Sequence, residues 1–322
     1  MRTTFSALAL ALVACVSEGE KASVASSAQP LTETSQLLSW GTGDGQLGVF
    51  LSAKDRAARG PSAVAVGPQG QVVVLDGVNG RVMRVEDGKA VRVSRAPKDA
   101  DDLTVGPDGA IGVLGALSGK VSLFNPDGDA AGEVLVPRLF RDVDGVAIGP
   151  SRRIIVTNAF QERWVIGSPS VPMPVDVALR TKREGIAELP DGRGLAVSKT
   201  EAGIEMLVFS AGADERTRVD ARWAVAPGAD AARIVGVSGN IACMRVERLG
   251  QGSAAIDVAR QAVCVDATTG REALRRDLPA PGLYVPRHEL AFGGVPATLA
   301  FVHPEDSGLR VMTWTVGKGG AR

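Results

Sequence analysis

Two histidines, His288 and His303, are the only imidazoles in a chain of 322 residues, which restricts the acid–base chemistry open to it. A serine or cysteine nucleophile needs a positioned base, and no G-x-S-x-G elbow accompanies either histidine. No G-x-x-x-x-G-K-S/T loop is present. Gly43-Asp44-Gly45-Gln46-Leu47-Gly48 has the spacing G-x-G-x-x-G, but no βαβ pattern surrounds it, so it reads as a turn. Carboxylate chemistry is left. Asp101, Asp144 and Glu184 stand at one position of a recurring motif, and three oxygen ligands brought together there could hold Ca²⁺ or another divalent cation, with water completing the shell. The alternative is that these carboxylates are simply hydrated and the chain uses no cofactor. Among the three cysteines, Cys243 and Cys264 lie in neighbouring apolar segments without a C-x-x-C pattern. They read either as a cross-strand disulfide or as two buried thiols, and the shortage of histidine disfavours zinc or haem.

The motif that carries the carboxylates is a repeat. Pro61 to Val74 reads as an alternating apolar segment, a Gly67-Pro68-Gln69-Gly70 turn and a second apolar segment. It recurs at Asp101 to Ile111 around Pro107, at Asp144 to Pro150, and at Glu184 to Gly192 around Pro190. The shared prolines are 39, 43 and 40 residues apart, close to the ~40–50 residues of a four-stranded propeller blade. Each copy predicts a second strand (Val72 to Leu75, Ile111 to Leu114, Ile154 to Thr157, Gly194 to Val197) and then a third. Two degenerate units follow, one around Ile241 to Val246 and one from His288 through Leu309 to Val316. The fold expected is therefore all-β, a β-propeller of six blades with four antiparallel strands each. The last unit shows three strands, so Leu37 to Trp40, or Gly48 to Leu51, is expected to pair with it and close the ring. Aligned on Gly67-Pro68, Ser62, Asp101, Asp144, Glu184 and, more loosely, Ala231 and His288 begin the inner strands and would converge on the central channel.

These units resemble the NHL-repeat family of β-propellers, over roughly residues 36 to 210, in segments such as Trp40 to Gln46 and Pro61 to Val85. Asp144-Gly145 and Glu184-Gly185 also resemble the pairs at which the gluconolactonase and senescence-marker-protein family holds its catalytic metal. That resemblance implies a metal-dependent hydrolase with its site at the channel. The family pattern adds an Asn ligand and a catalytic Asp; Asp101 is available for one role, and no aligned Asn is present. Arg180-Thr181-Lys182-Arg183 reads as a solvated loop before a strand, or as a patch for an anionic partner. Asn125-Pro126-Asp127-Gly128-Asp129 lacks a calcium loop's final Glu and reads as a turn.

At the N-terminus, Arg2 precedes an uncharged apolar run from Phe5 to Ala14, too short for the roughly 20 residues of a membrane-spanning helix. Its end, Leu12-Val13-Ala14-Cys15, resembles the bacterial lipoprotein signal, which implies cleavage before Cys15 and lipidation of that residue. The expected organisation is a signal peptide over 1–14, a flexible tether over 15–36 and a propeller over 37–322. The resemblance implies a bacterial cell-envelope location, anchored to a membrane through lipid. Val16 follows the cysteine in place of the Asp that retains enteric lipoproteins at the inner membrane, so the outer membrane is favoured, on its periplasmic or surface face.

Composition narrows the partners. With 36 Lys+Arg against 36 Asp+Glu, the formal net charge is zero, and no broad basic field exists for counterion release, so nucleic acid is disfavoured. The expectation is a lipid-anchored envelope module that binds another envelope protein or an extracellular ligand. The gluconolactonase-like hydrolase is the alternative.

Overall fold

In a computed structural model, residues 32–140, 142–185, 187–211, 217–250 and 257–316 are described. Cys15, the expected signal peptide and all but the last residues of the expected tether lie outside them. The strands in chain order are β1 (Glu33–Ser39), β2 (Ala63–Val66), β3 (Val72–Asp76), β4 (Arg81–Glu86), β5 (Lys89–Arg95), β6 (Ala100–Val105), β7 (Ile111–Gly115), β8 (Lys120–Phe124) and β9 (Ala130–Leu135). The middle of the chain forms β10 (Val143–Ile148), β11 (Ile154–Asn158), β12 (Glu162–Ser168), β13 (Val171–Pro172), the helix α1 (Val175–Arg180), β14 (Arg183–Glu184), β15 (Ala187–Glu188), β16 (Gly194–Thr200), β17 (Gly203–Ala211) and β18 (Thr217–Pro227). The remainder is β19 (Ala231–Ser238), β20 (Ile241–Leu249), β21 (Val258–Asp266), β22 (Glu272–Leu278), β23 (Leu290–Gly293), β24 (Thr298–Glu305) and β25 (Gly308–Thr315).

These strands form antiparallel meanders: β2 to β5, β6 to β9, β10 to β13 with β14 added to β12, and β15 to β18. An eight-stranded sheet runs β1-β25-β24-β23-β19-β20-β21-β22, its halves joined by one parallel contact between Gly236 and Phe292. The repeat motif builds the tight turn of each meander. Gly67 N–H donates to the Gln71 carbonyl, Gly106 to Ala110, Gly149 to Arg153 and Leu189 to Arg193, at 2.7–2.8 Å. Gly70, Gly109 and Gly192 take the left-handed position of that turn at φ near +80°, which a Cβ would penalise. In the third copy, Ser151 and Arg152 take positive φ instead.

Burial follows strand order. β2 and β3 are buried at every residue, because both faces of an inner strand pack on neighbouring sheets, whereas the outer strands β5 and β9 are largely exposed. β2 lies against β6 and β23, β6 against β10, and β15 against β19, so the short inner strands surround one axis. The fold is an all-β propeller.

Closure comes from the N-terminal strand. β1 pairs with β25 from Glu33↔Trp314 to Ser39↔Gly308, and the Trp40 indole donates to the Glu305 carbonyl at 2.9 Å. This strand begins at Glu33, so residues 33–36, expected in the tether, are sheet. Leu38 is the residue of β1 that is fully buried. Cys243 and Cys264 face each other in register across β20 and β21 and are disulfide-bonded. Gly43 to Gly48 is a turn, with Leu47 buried and its N–H bound to Ser39. The segment Asn125 to Asp129 also closes on itself as a turn.

Candidate functional site

A cavity of about 1440 Å³ runs along the axis, lined by inner-strand residues of every unit. Its two ends differ. The ends of the inner strands present Pro68, Ile148, Leu189 and Phe292, while the beginnings present Asp102, Arg233, Arg287 and His288. The polar end owes its geometry to bulges. β6 and β10 each carry a register shift, between Ala100 and Asp102 and between Val143 and Gly145, so Asp101 and Asp144 are the extra residues. The bulge in β6 turns the next carboxylate, Asp102, inward, where it is 6% exposed. Asp102 accepts the Val146 N–H at 2.9 Å and thereby ties the second unit to the third. Gly145 is required beside it, because a Cβ would collide with Thr157 Oγ1.

The three carboxylates expected to share a cation do not form a cage. Asp101 is ion-paired with Arg287, and Asp144 with Arg233 at 3.3 Å. Glu184 does not begin an inner strand. It belongs to β14, paired with Glu162 of β12, and Gly185 turns the chain at φ +87° with its N–H on the Gln161 carbonyl. The inner strand of the fourth unit is consequently reduced to Ala187–Glu188. That truncation would orphan the Val197 backbone on β16, and the Gln161 side-chain amide takes both groups, at 2.8 and 2.9 Å. Among the described residues, no cluster of three or more His, Cys, Asp or Glu could hold a metal. The guanidinium groups already on Asp101 and Asp144 would repel a divalent cation. The residues present therefore do not fit a metal centre of the gluconolactonase kind.

A different set converges instead. His288 Nε2 is buried without a hydrogen-bond partner, 3.6 Å from Asp102 Oδ1. Burial, reinforced by Arg233 and Arg287, pushes its pKa down to about 3, while the Asp144 carboxylate and carbonyl pull the other way. The imidazole is thus neutral, and its approach to Asp102 is not an ion pair. Burial raises Asp102 to about 6, against hydrogen bonds from Val146 and Leu103 and the charge of Arg233. Burial also raises Asp144, with Arg233 and His288 opposing. The next residue, Glu289, is occupied elsewhere: Arg260 Nη1 holds both of its oxygens at 2.7 and 2.8 Å, and Arg245 lies at 3.3 Å. His303, the second histidine, lies outside the channel lining.

The cavity also opens sideways between the third and fourth units. There the outer strand of the third sheet is split into β13 and β14 with α1 between them, and the inner strand of the fourth is short. Val165, Val177, Arg180, Thr181 and Arg183 line this slot on one side, and Leu189 to Gly192 on the other. Arg163 crosses it to the Ala187 carbonyl at 2.6 Å and to Glu188 at 2.8 Å. Asp101, Asp144 and His288 lie at this end as their place in the repeat implies, whereas nothing in the repeat pointed to Asp102, Arg233 or the slot. An Arg in an otherwise apolar inner-strand segment, Ala231 to Val237, was the available signal for Arg233.

Neither a protein-family model nor a curated protein matches the chain. Several solved structures do. Virginiamycin B lyase from Staphylococcus aureus is 14% identical, covering 89% of this chain and 100% of that one, with a TM-score of 0.44. A gluconolactonase from Xanthomonas campestris is 14% identical over 88% of this chain and 98% of that one, at 0.44. A structure of unknown function from Bacteroides thetaiotaomicron is 10% identical over 88% and 76%, at 0.49. These likenesses concern the fold.

Proposed function

We propose that the chain is a six-bladed propeller, tethered to the bacterial outer membrane through lipid on Cys15, that binds a ligand or an envelope partner at the polar end of its channel. The observation that carries this reading is the pairing of Asp101 with Arg287 and of Asp144 with Arg233 around a neutral His288 whose Nε2 has no hydrogen-bond partner. Such a site offers fixed donors and an open acceptor and lacks an assembled nucleophile or metal cage, which suits recognition more than turnover. The apolar run before Cys15 and the residues after it support the anchored location.

The second reading is hydrolysis, favoured by one feature: Asp102, with its pKa raised to about 6 in a cavity, is poised for proton transfer. Purified protein offered lactones and esters with and without Ca²⁺ separates the two. Binding without turnover, and no retained divalent metal by mass spectrometry after dialysis, is expected. Turnover lost in Asp101→Ala, Asp144→Ala and Glu184→Ala variants would establish the hydrolase and end the binding reading. Pull-down with the anchored protein against Cys15→Ser tests the location, since partner recovery should depend on the lipid.

A further inference from the structure

The cavity carries an imbalance of charge that the chain as a whole does not. Four carboxylates line it, and three are committed: Glu188 to Arg163, Asp191 to Arg193, and Glu289 to Arg260 and Arg245. The fourth, Asp102, is buried beside the neutral His288. Seven arginines line the same cavity. Among the described residues, Arg153, Arg180 and Arg183 have no carboxylate partner. Arg180 and Arg183 sit on α1 and β14, which flank the slot, and Arg153 follows the turn at the apolar end of the third unit. In a protein of zero formal charge, the two uncommitted guanidinium groups that flank the slot, those of Arg180 and Arg183, make a local positive field.

The fold placed them there at a cost to regularity. A continuous fourth strand in the third sheet would have covered the slot; β13 and β14 are each two residues long, and the six residues of α1 between them leave it open. Next to the arginines, Val165 and Val177 supply an apolar wall.

We propose that this slot binds a small organic anion, its carboxylate or phosphate group held by the planar forks of Arg180 and Arg183, with its uncharged part against Val165 and Val177. The inference rests on the binding reading above and names its ligand class. Guanidinium recognises both oxyanions in a two-pronged geometry that an ammonium does not reproduce. The arginines are exposed, so binding weakens as salt screens them.

The test uses the full-length protein in detergent, with citrate as the carboxylate probe, pyrophosphate as the phosphate probe and glucose as the neutral control, followed by Trp fluorescence and calorimetry. Saturable binding of one or both anions is expected, weakening steadily with added salt. Arg180→Gln and Arg183→Gln should each reduce affinity about fivefold, with circular dichroism unchanged. Arg180→Lys should recover only part of the loss. A preference between citrate and pyrophosphate identifies the oxyanion. Glucose binding as tightly as either anion, or affinities indifferent to salt and to both substitutions, would overturn the proposal while leaving channel binding intact. Lactone turnover would instead remove the binding reading itself.

Discussion

Replacing Asp102 by Asn removes an ionisable group from the most buried position of the channel cluster, and its effect on stability can be worked out. Raising a carboxyl from 3.8 to about 6 by burial means that keeping it ionised costs the fold about 3 kcal/mol. The sign follows from proton counts. The folded chain holds this proton more tightly than the unfolded chain, so the wild type loses stability through this group as pH rises from about 4 to about 6, and the loss is then constant. Asparagine retains an oxygen for the Val146 N–H and adds no charge. Asp102→Asn should therefore be more stable than the wild type near neutrality, by up to about 3 kcal/mol, and equal to it near pH 4. His288 works in the opposite sense, because its depressed pKa makes the unfolded chain the better proton binder below about 6.5. In the wild type the two slopes nearly cancel over this window. In the variant only that of His288 remains, so its stability should climb from about pH 4 to about 6.5. Urea unfolding followed by Trp fluorescence at a series of pH values measures both effects. If the variant were less stable than the wild type at neutral pH by more than about 1 kcal/mol, the carboxylate would be a net stabilising partner of Arg233, and the burial argument would be wrong.

Other consequences are simpler. Cys243→Ser with Cys264→Ser opens a 21-residue separation and should cost about 3 kcal/mol in the chain-entropy treatment, seen as a melting temperature lower by about 5 °C; the oxidised and reduced wild type should differ by a similar amount. Glu289→Ala leaves Arg260, itself buried, without its partner, and should destabilise by about 3–5 kcal/mol in the same urea assay. Glu289→Ala paired with Arg260→Met should recover much of that loss, which would not happen if the glutamate mattered only for packing.

The repeat was legible in the sequence because its turns are local. The glycines at positions 70, 109 and 192 are required by backbone φ, and the flanking strands follow from alternation of apolar residues. Ring closure was legible too, since three strands at one end call for a fourth from the other, and of the two candidate segments, Leu37 to Trp40 and Gly48 to Leu51, the first lies largely in β1, which pairs with β25. What the pattern did not contain was register. A bulge of one residue exchanges the faces that Asp101 and Asp102 present, and nothing local distinguishes the two. Glu184 failed for a related reason: the motif continued through Glu184-Gly185, but a side-chain amide thirty-six residues from its backbone partner, Gln161 on Val197, replaces half of the strand. The helix after Pro172 and Pro174 was similarly hidden, being only six residues long and too short to show a period.

The claim that the channel and its slot take an anion in preference to a metal is tested most directly by anomalous diffraction from crystals grown with both manganese and bromide. The account predicts bromide at the rim by Arg180 and Arg183 and no manganese between Asp102 and Asp144. Manganese bound there, with Arg233 displaced from Asp144, would contradict it.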